Sequence, residues 1–219
     1  MRKDVVILGG TAAVLVAAVV VGGTYYSRSQ EQAKEQAAAA APAIDPNVLE
    51  RPHSPSLGPK DAKVTIVEFL DPECESCRAM SPMVKHVLAQ YPGKVRLVVR
   101  HLPFHKNSLF AISALYAARE QGKYWELLDS LFANQPAWGD HHHPKPELVP
   151  EFARQVGLDM DAFSNGLSNP AAKQYTEQDQ ADAKVLGVNG TPTFFVNGKM
   201  LEQLGYDQLK AMVDEQLAK

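Results

Sequence analysis

Val64-Thr65-Ile66-Val67-Glu68-Phe69-Leu70 and, after Asp71-Pro72-Glu73, Cys74-Glu75-Ser76-Cys77 form the stretch whose reading decides the fold. The first seven residues are mostly β-branched or aromatic and read as a buried strand. The segment after Cys74 reads as a helix. A strand, a tight turn and a CxxC at a helix N-terminus are the setting in which a dithiol does redox chemistry. The helix end supplies unpaired N–H groups and a partial positive charge, and both favour a thiolate over a thiol. No third cysteine occurs in the 219 residues, so each thiol has only the other as a partner within the chain. A disulfide between them would close a tiny loop and constrain little of the unfolded chain, which argues against a purely structural staple.

Outward from the dithiol, the helix runs from Glu75 to about Tyr91, and Lys94–Arg100 reads as a second strand. Asn107-Ser108 is an N-cap for a helix with Leu109, Ile112, Leu115 and Tyr116 on one face, ended by Gly122. A further helix carries Trp125, Leu128, Leu131 and Phe132. After a Pro-rich loop, helical segments near Glu147–Val156, Asp159–Leu167 and Pro170–Leu186 lead to Gly187. Thr193–Val196 reads as a strand, and Asn197-Gly198 is a hairpin signal into Lys199-Met200-Leu201. A last helix, Asp207 to about Leu217, buries Leu209, Met212 and Val213. The order is βαβ, a block of helices, then ββα, with no internal repeat.

The N-terminus is of another kind. Val5 to Ser27 is an uncharged run rich in Val, Ala and Gly, about the length of a membrane-crossing helix. Arg2 and Lys3 precede it and Tyr25-Tyr26 close it, which favours a cytoplasmic N-terminus and an exported domain. Residues 1–27 therefore read as an uncleaved signal-anchor, with cleavage near Ala41-Pro42-Ala43 as the alternative. Residues 28–57 read as a linker, first Ala/Gln-rich, then kept extended by Pro42, Pro46, Pro52 and Pro55. The folded domain is expected over 58–219. A net charge of −3 predicts no nucleic-acid partner.

The order of elements resembles a thioredoxin fold (α/β) interrupted by a helical insertion at about 106–187. That combination is similar to the DsbA-like family of exported thiol–disulfide oxidoreductases, over about Val64 to Leu217. Cys74-Glu75-Ser76-Cys77 matches the family's active-site motif, whereas a zinc site would normally need a second ligand pair. Gly190-Thr191-Pro192-Thr193-Phe194 matches the segment that sets a cis-proline opposite the dithiol. Glu68, six residues before Cys74, matches the family's buried acid, and Pro82 matches a proline inside the first helix. The resemblance implies that Cys74 attacks and Cys77 resolves. It also implies that Thr191 and Pro192 present backbone to an extended substrate, and that Glu68 relays a proton to the second thiol. No metal or organic cofactor is implied.

Glu75 between the cysteines works against a thiolate, so the pair is expected to be a moderate oxidant, serving as oxidase or isomerase. The implied partners are cysteine-containing exported proteins and a membrane redox partner. For an oxidase that partner is quinone-linked; for a reductase or isomerase it is a transmembrane electron donor. With no dimerisation domain in view, a monomer is expected. The rival reading is a copper- or zinc-binding chaperone using Cys74, Cys77 and the loop His141-His142-His143. His86 is expected to face solvent, and His105 to cap the helix at Ser108 or to meet the core.

Overall fold

The computed structural model describes residues 22–30 and 45–219. It divides into two units, Met1–Ala43 and Ile44–Lys219. Of the first, residues 22–30 are helical and exposed. The membrane-anchor reading rests mainly on residues 1–21, which lie outside the described residues. Among the described residues, no helix is long and apolar enough to cross a membrane.

In the second unit α1 is Pro46–Leu49, β1 Ser56–Leu57, β2 Val64–Leu70, α2 Glu75–Gln90 and β3 Val95–His101. The inserted helices are α3 Ser108–Glu120, α4 Tyr124–Ala133, α5 Gln135–Trp138, α6 Val149–Gln155 after a single tight turn, α7 Met160–Leu167 and α8 Ala171–Val185. The chain closes with β4 Thr193–Val196, β5 Lys199–Met200 and α9 Tyr206–Ala218.

The strands form one sheet in the order β1-β3-β2-β4-β5. β2 and β3 are parallel, in register from Val64↔Val95 to Leu70↔His101. β4 runs antiparallel to β2, with Ile66 opposite Val196 and Phe69 opposite Thr193. β2 and β3 are covered on both faces, which is why they read as apolar runs rather than as alternating strands. Val64, Ile66 and Leu70 face α2 and α9 in the larger core, with Val84, Val87, Leu209 and Val213. Val67, Phe69 and Phe195 face the other side, against Leu49, Ala183 and Val188. The Asn197-Gly198 turn has φ of 46° and 85°, the paired positive values that a tight hairpin requires.

Three features differ from expectation. The compact unit takes in residues 44–57, which read as linker: Pro46 opens a helical turn as prolines can, Leu49 is buried, and β1 adds to the edge of β3. Leu109, placed on the buried face of α3, is instead 38% exposed. That helix buries Ala111, Ala114, Ala117 and Ala118, because its small side chains let neighbouring helices approach. Gly166 of α7 comes so close that a Cβ there would lie 2.7 Å from the Ala117 Cβ. Finally, Asn107 makes no side-chain cap on α3.

A buried charge network has no counterpart in the sequence pattern. Arg100, fully buried on β3, donates to Asp179 at 2.7 Å and Asp182 at 2.5 Å on α8, and to the carbonyls of Val48 and Leu49 at 2.6 and 3.0 Å. Asp179 also accepts the His101 backbone N–H at 2.7 Å. This network pins α8 and the entering chain to the sheet. Without Arg100, Asp182 keeps Arg51 at 2.7 Å and Asp179 keeps His53 at 2.7 Å, but both buried carboxylates lose their central partner, so Arg100→Met is expected to cost about 3 kcal/mol. Urea unfolding measures it, and a loss of less than about 1 kcal/mol would show that Arg51 and His53 suffice to compensate the two carboxylates.

Candidate active site

Cys74 is the N-cap of α2, with φ −78° and ψ 125°. Its own N–H donates to Asp71 O at 3.1 Å, and its carbonyl accepts the Arg78 N–H at 3.1 Å, the first bond of the helix. β2 therefore delivers the chain through a four-residue turn to a helix N-terminus, and Cys77 follows one turn on, facing the core. Both cysteines are reduced; Cys74 is 7% exposed and Cys77 fully buried. Thr191-Pro192 is a cis peptide that precedes β4. The Cys74 thiol donates to Thr191 O at 3.3 Å, across 117 residues of sequence. Cys74, Cys77, Thr191 and Pro192 thus come together.

The two thiols are pushed apart in acidity. Cys74 is lowered to about 5, foremost because the Cys77 thiol donates to its anion, with further donation from the Thr191 side chain and the Cys77 and Ser76 backbone N–H groups; burial opposes the shift. Cys77 is raised far above the ordinary thiol range by burial, then by its hydrogen bond to Cys74 and by the charge of Glu68. The expectation that Glu75 would hold back the acidity of Cys74 is not met. The Glu75 side chain is 57% exposed and turned to His141, 3.6 Å away, while the donors at the helix start act directly on the sulfur.

Glu68 is 4% exposed, between Ile66 and Leu70 on the α2 face of β2. Burial, and secondarily the charge of Cys74, raise its carboxyl to about 8. A cavity of about 20 Å³ beside it, also lined by Ser81 and Lys85, is wide enough for one water. Pro82 lies within α2.

Three polar residues that the sequence did not single out, Asp71, Glu73 and Gln135, hold the turn. Asp71, fully buried, accepts the Glu73 N–H at 2.8 Å on one oxygen; on the other it takes the Phe104 N–H at 2.8 Å and meets His105 Nδ1 at 2.7 Å. Glu73 accepts from Asn107 N at 2.8 Å, from Asn107 Nδ2 at 2.9 Å and from the Ser108 hydroxyl at 3.3 Å. Expected to cap α3, Asn107 is instead a donor to this carboxylate. Gln135, from α5, donates to Pro72 O and Cys74 O, both at 3.0 Å. The helical insertion thereby clamps the turn that carries the nucleophile. The only local signal was the pair of acids in Asp71-Pro72-Glu73.

The three loop histidines diverge. Asp140 accepts the backbone N–H groups of His142 and His143 at 2.8 and 2.6 Å, and the His143 side chain is 89% exposed. His141 stacks on His105 with ring centroids 4.7 Å apart. His86 is exposed, as expected.

A family model described as thioredoxin matches residues 50–215. A thioredoxin-like oxidoreductase from Silicibacter pomeroyi DSS-3 superposes with a TM-score of 0.70 at 32% identity, covering 80% of this chain and 99% of that one. Oxidised BdbD from Bacillus subtilis gives 0.68 at 25% identity, covering 76% and 94%. The Na(+)/H(+) antiporter NhaA of Herminiimonas arsenicoxydans is 38% identical over 160 residues, 71% of this chain but 25% of that protein. The chain thus spans about a quarter of that relative's length, and the antiporter name is that protein's own. A dithiol at a helix start, a helical insertion clamped on its turn, and these likenesses lead to one conclusion: the chain belongs to the thioredoxin family, as a thioredoxin-like oxidoreductase.

Proposed function

We propose that this domain donates its Cys74–Cys77 disulfide to cysteine-containing exported proteins through a mixed disulfide at Cys74. The observation that carries this reading is the split between an acidic Cys74, beside Thr191 O, and a buried Cys77 held as a thiol. A substrate thiolate attacks Cys74 Sγ; the Cys74–Cys77 bond breaks, and the Cys77 sulfur leaves with the electron pair and takes a proton. Glu68 is protonated at neutral pH and supplies that proton. A second substrate thiolate then attacks the substrate sulfur of the mixed disulfide, and Cys74 departs as a thiolate. Low acidity of Cys77 slows its return attack, and high acidity of Cys74 makes it the better leaving group. Two electrons pass from two substrate thiols to the protein.

The export reading rests on the apolar run Val5–Ser27, proposed as an anchor holding the domain on the outer side of the cytoplasmic membrane. A quinone-linked membrane oxidase would then recharge the dithiol. The domain works as a monomer in this reading.

Mixing the oxidised protein with a reduced dithiol peptide tests the proposal. The expected result is one disulfide transferred per chain, with the protein left reduced. A protein that transfers none, yet reduces a substrate disulfide rapidly in its dithiol form, would be a reductase fed by a transmembrane donor. Glu68→Gln keeps the shape of the acid without its proton and is expected to slow the first attack about a hundredfold at pH 7. Above pH 8 the wild-type acid is itself ionised, so the difference should vanish. Rapid acid quench followed by mass measurement reads both, and a pH-independent deficit would make Glu68 a packing residue only.

A further inference from the structure

We propose that Glu75, His105 and His141 form a binding site for a divalent cation of the zinc class beside the dithiol. One ligand atom from each lies within 4.8 Å of those of the other two. A tetrahedral site with bonds of 2.0–2.1 Å needs its ligand atoms about 3.3 Å apart. The remaining gap closes by side-chain rotation, because Glu75 and His141 are 57% and 41% exposed and free to swing.

The third ligand is already aimed. Asp71 is fully buried and holds His105 at Nδ1, 2.7 Å away, which leaves Nε2 as the ligating nitrogen. A carboxylate that fixes the tautomer and orientation of an imidazole is the usual second partner of a metal-bound histidine. The His141 ring stacks on the His105 ring, centroids 4.7 Å apart, which keeps the two imidazoles together beside Glu75. Of the three loop histidines only His141 has a ring nitrogen within reach of both Glu75 and His105; the His143 side chain is 89% exposed, and His142 lines the cleft without joining the cluster. Two imidazoles and one carboxylate suit Zn(II), Cu(II) or Ni(II); calcium and magnesium want oxygen ligands. Arg78 lines the same cleft and opposes a cation, while Asp140, also lining it, offsets that charge.

This ligand set differs from the one the chain suggested. It excludes both cysteines and two of the three consecutive histidines, and it stands or falls independently of the thiol chemistry.

The test is calorimetric titration of the full chain, free of any histidine tag, with Zn(II) alone. The protein is first oxidised so that Cys74 and Cys77 are joined and cannot act as ligands. One Zn(II) per chain is expected, with affinity reduced at least tenfold in Glu75→Gln and in His141→Ala. His142→Ala and His143→Ala should bind within twofold of wild type. All four positions are exposed, so the variants should fold, and circular dichroism checks this. Wild-type binding no tighter than that of His141→Ala would overturn the assignment. So would a loss in His143→Ala matching that in His141→Ala, which would mean a non-specific histidine tract.

Discussion

The Cys77→Ser protein should accumulate a covalent mixed disulfide with its substrates through Cys74, while Cys74→Ser should lose disulfide exchange by at least about a thousandfold. The asymmetry follows from burial and acidity together. Cys74 Sγ sits at the helix N-terminus beside Thr191 O, where an extended substrate would approach, and it is the sulfur whose anion the turn stabilises. Cys77 is fully buried and held as a thiol, so it meets no substrate directly. Its task in the reducing direction is to attack Cys74 from within, and without it the mixed disulfide has no intramolecular exit. Cys74→Ser removes the one thiol that is not fully buried, and a serine hydroxyl does not form disulfides. The serine at position 77 buries a hydroxyl whose nearest donor is the Asp71 N–H, 3.5 Å from the present sulfur, at a cost of about 1–3 kcal/mol. Thermal unfolding should therefore accompany the trapping experiment. Non-reducing electrophoresis and intact-mass measurement read the adduct. Exchange by Cys74→Ser at more than about a tenth of the wild-type rate would place the reactive thiol elsewhere and end the mechanism.

What the chain declared in advance was local. β2 and the dithiol lie within fourteen consecutive residues, so propensity, turn and helix start are all visible in one window. Asn197-Gly198 announces its hairpin by the same logic, because positive φ at two successive residues selects for that pair. Glu68 was conspicuous as one charge in an apolar strand, and it is buried there.

The groups that stayed hidden are polar residues with distant partners. Gln135 reaches the Cys74 carbonyl across 61 residues, Asn107 reaches Glu73 across 34, and Arg100 reaches Asp182 across 82. Such pairs leave no periodicity, since a buried polar side chain and an exposed one occupy the same letter in the sequence. The same blindness affected Glu75, whose charge was set against Cys74 by adjacency alone. Its side chain turns away to His141, and the turn's own donors govern the sulfur. Leu109 shows the converse error, where an apolar letter was taken for an inward one: Ile112, Leu115 and Tyr116 of the same expected face are buried with the helix's alanines, but Leu109 in its first turn is 38% exposed.

Alkylation of Cys74 should titrate with a midpoint near 5, and the reduction potential of the pair should bend at the same pH. An unperturbed thiol titrates near 8.5 and is under about 1% ionised at pH 6, whereas a thiol at about 5 is about 90% ionised there. The sign of the linkage is set by the direction of the shift. The folded-state value lies below the unfolded one, so the reduced protein gains stability above pH 5, holds it in full above the unfolded value, and loses it as pH falls through 5. The disulfide form has no thiolate and gains nothing. Stabilising the reduced state makes the disulfide a stronger oxidant. At pH 7 the ionisation favours the reduced form about a hundredfold, which at ~30 mV per tenfold is about 60 mV above the same pair with an unshifted thiol. Below pH 5 reduction takes up two protons with two electrons, and the potential should fall by about 60 mV per pH unit. Above it Cys74 stays ionised, one proton is taken up, and the slope should halve to about 30 mV. Glutathione-buffer equilibration across pH 4 to 8 measures this curve. A single steep slope through pH 7, with a potential near the ≈ −270 mV of thioredoxin, would mean that Cys74 is an ordinary thiol. The domain would then accept electrons across the membrane to reduce its substrates, and the disulfide-donor reading would be lost while the fold and the site stood unchanged.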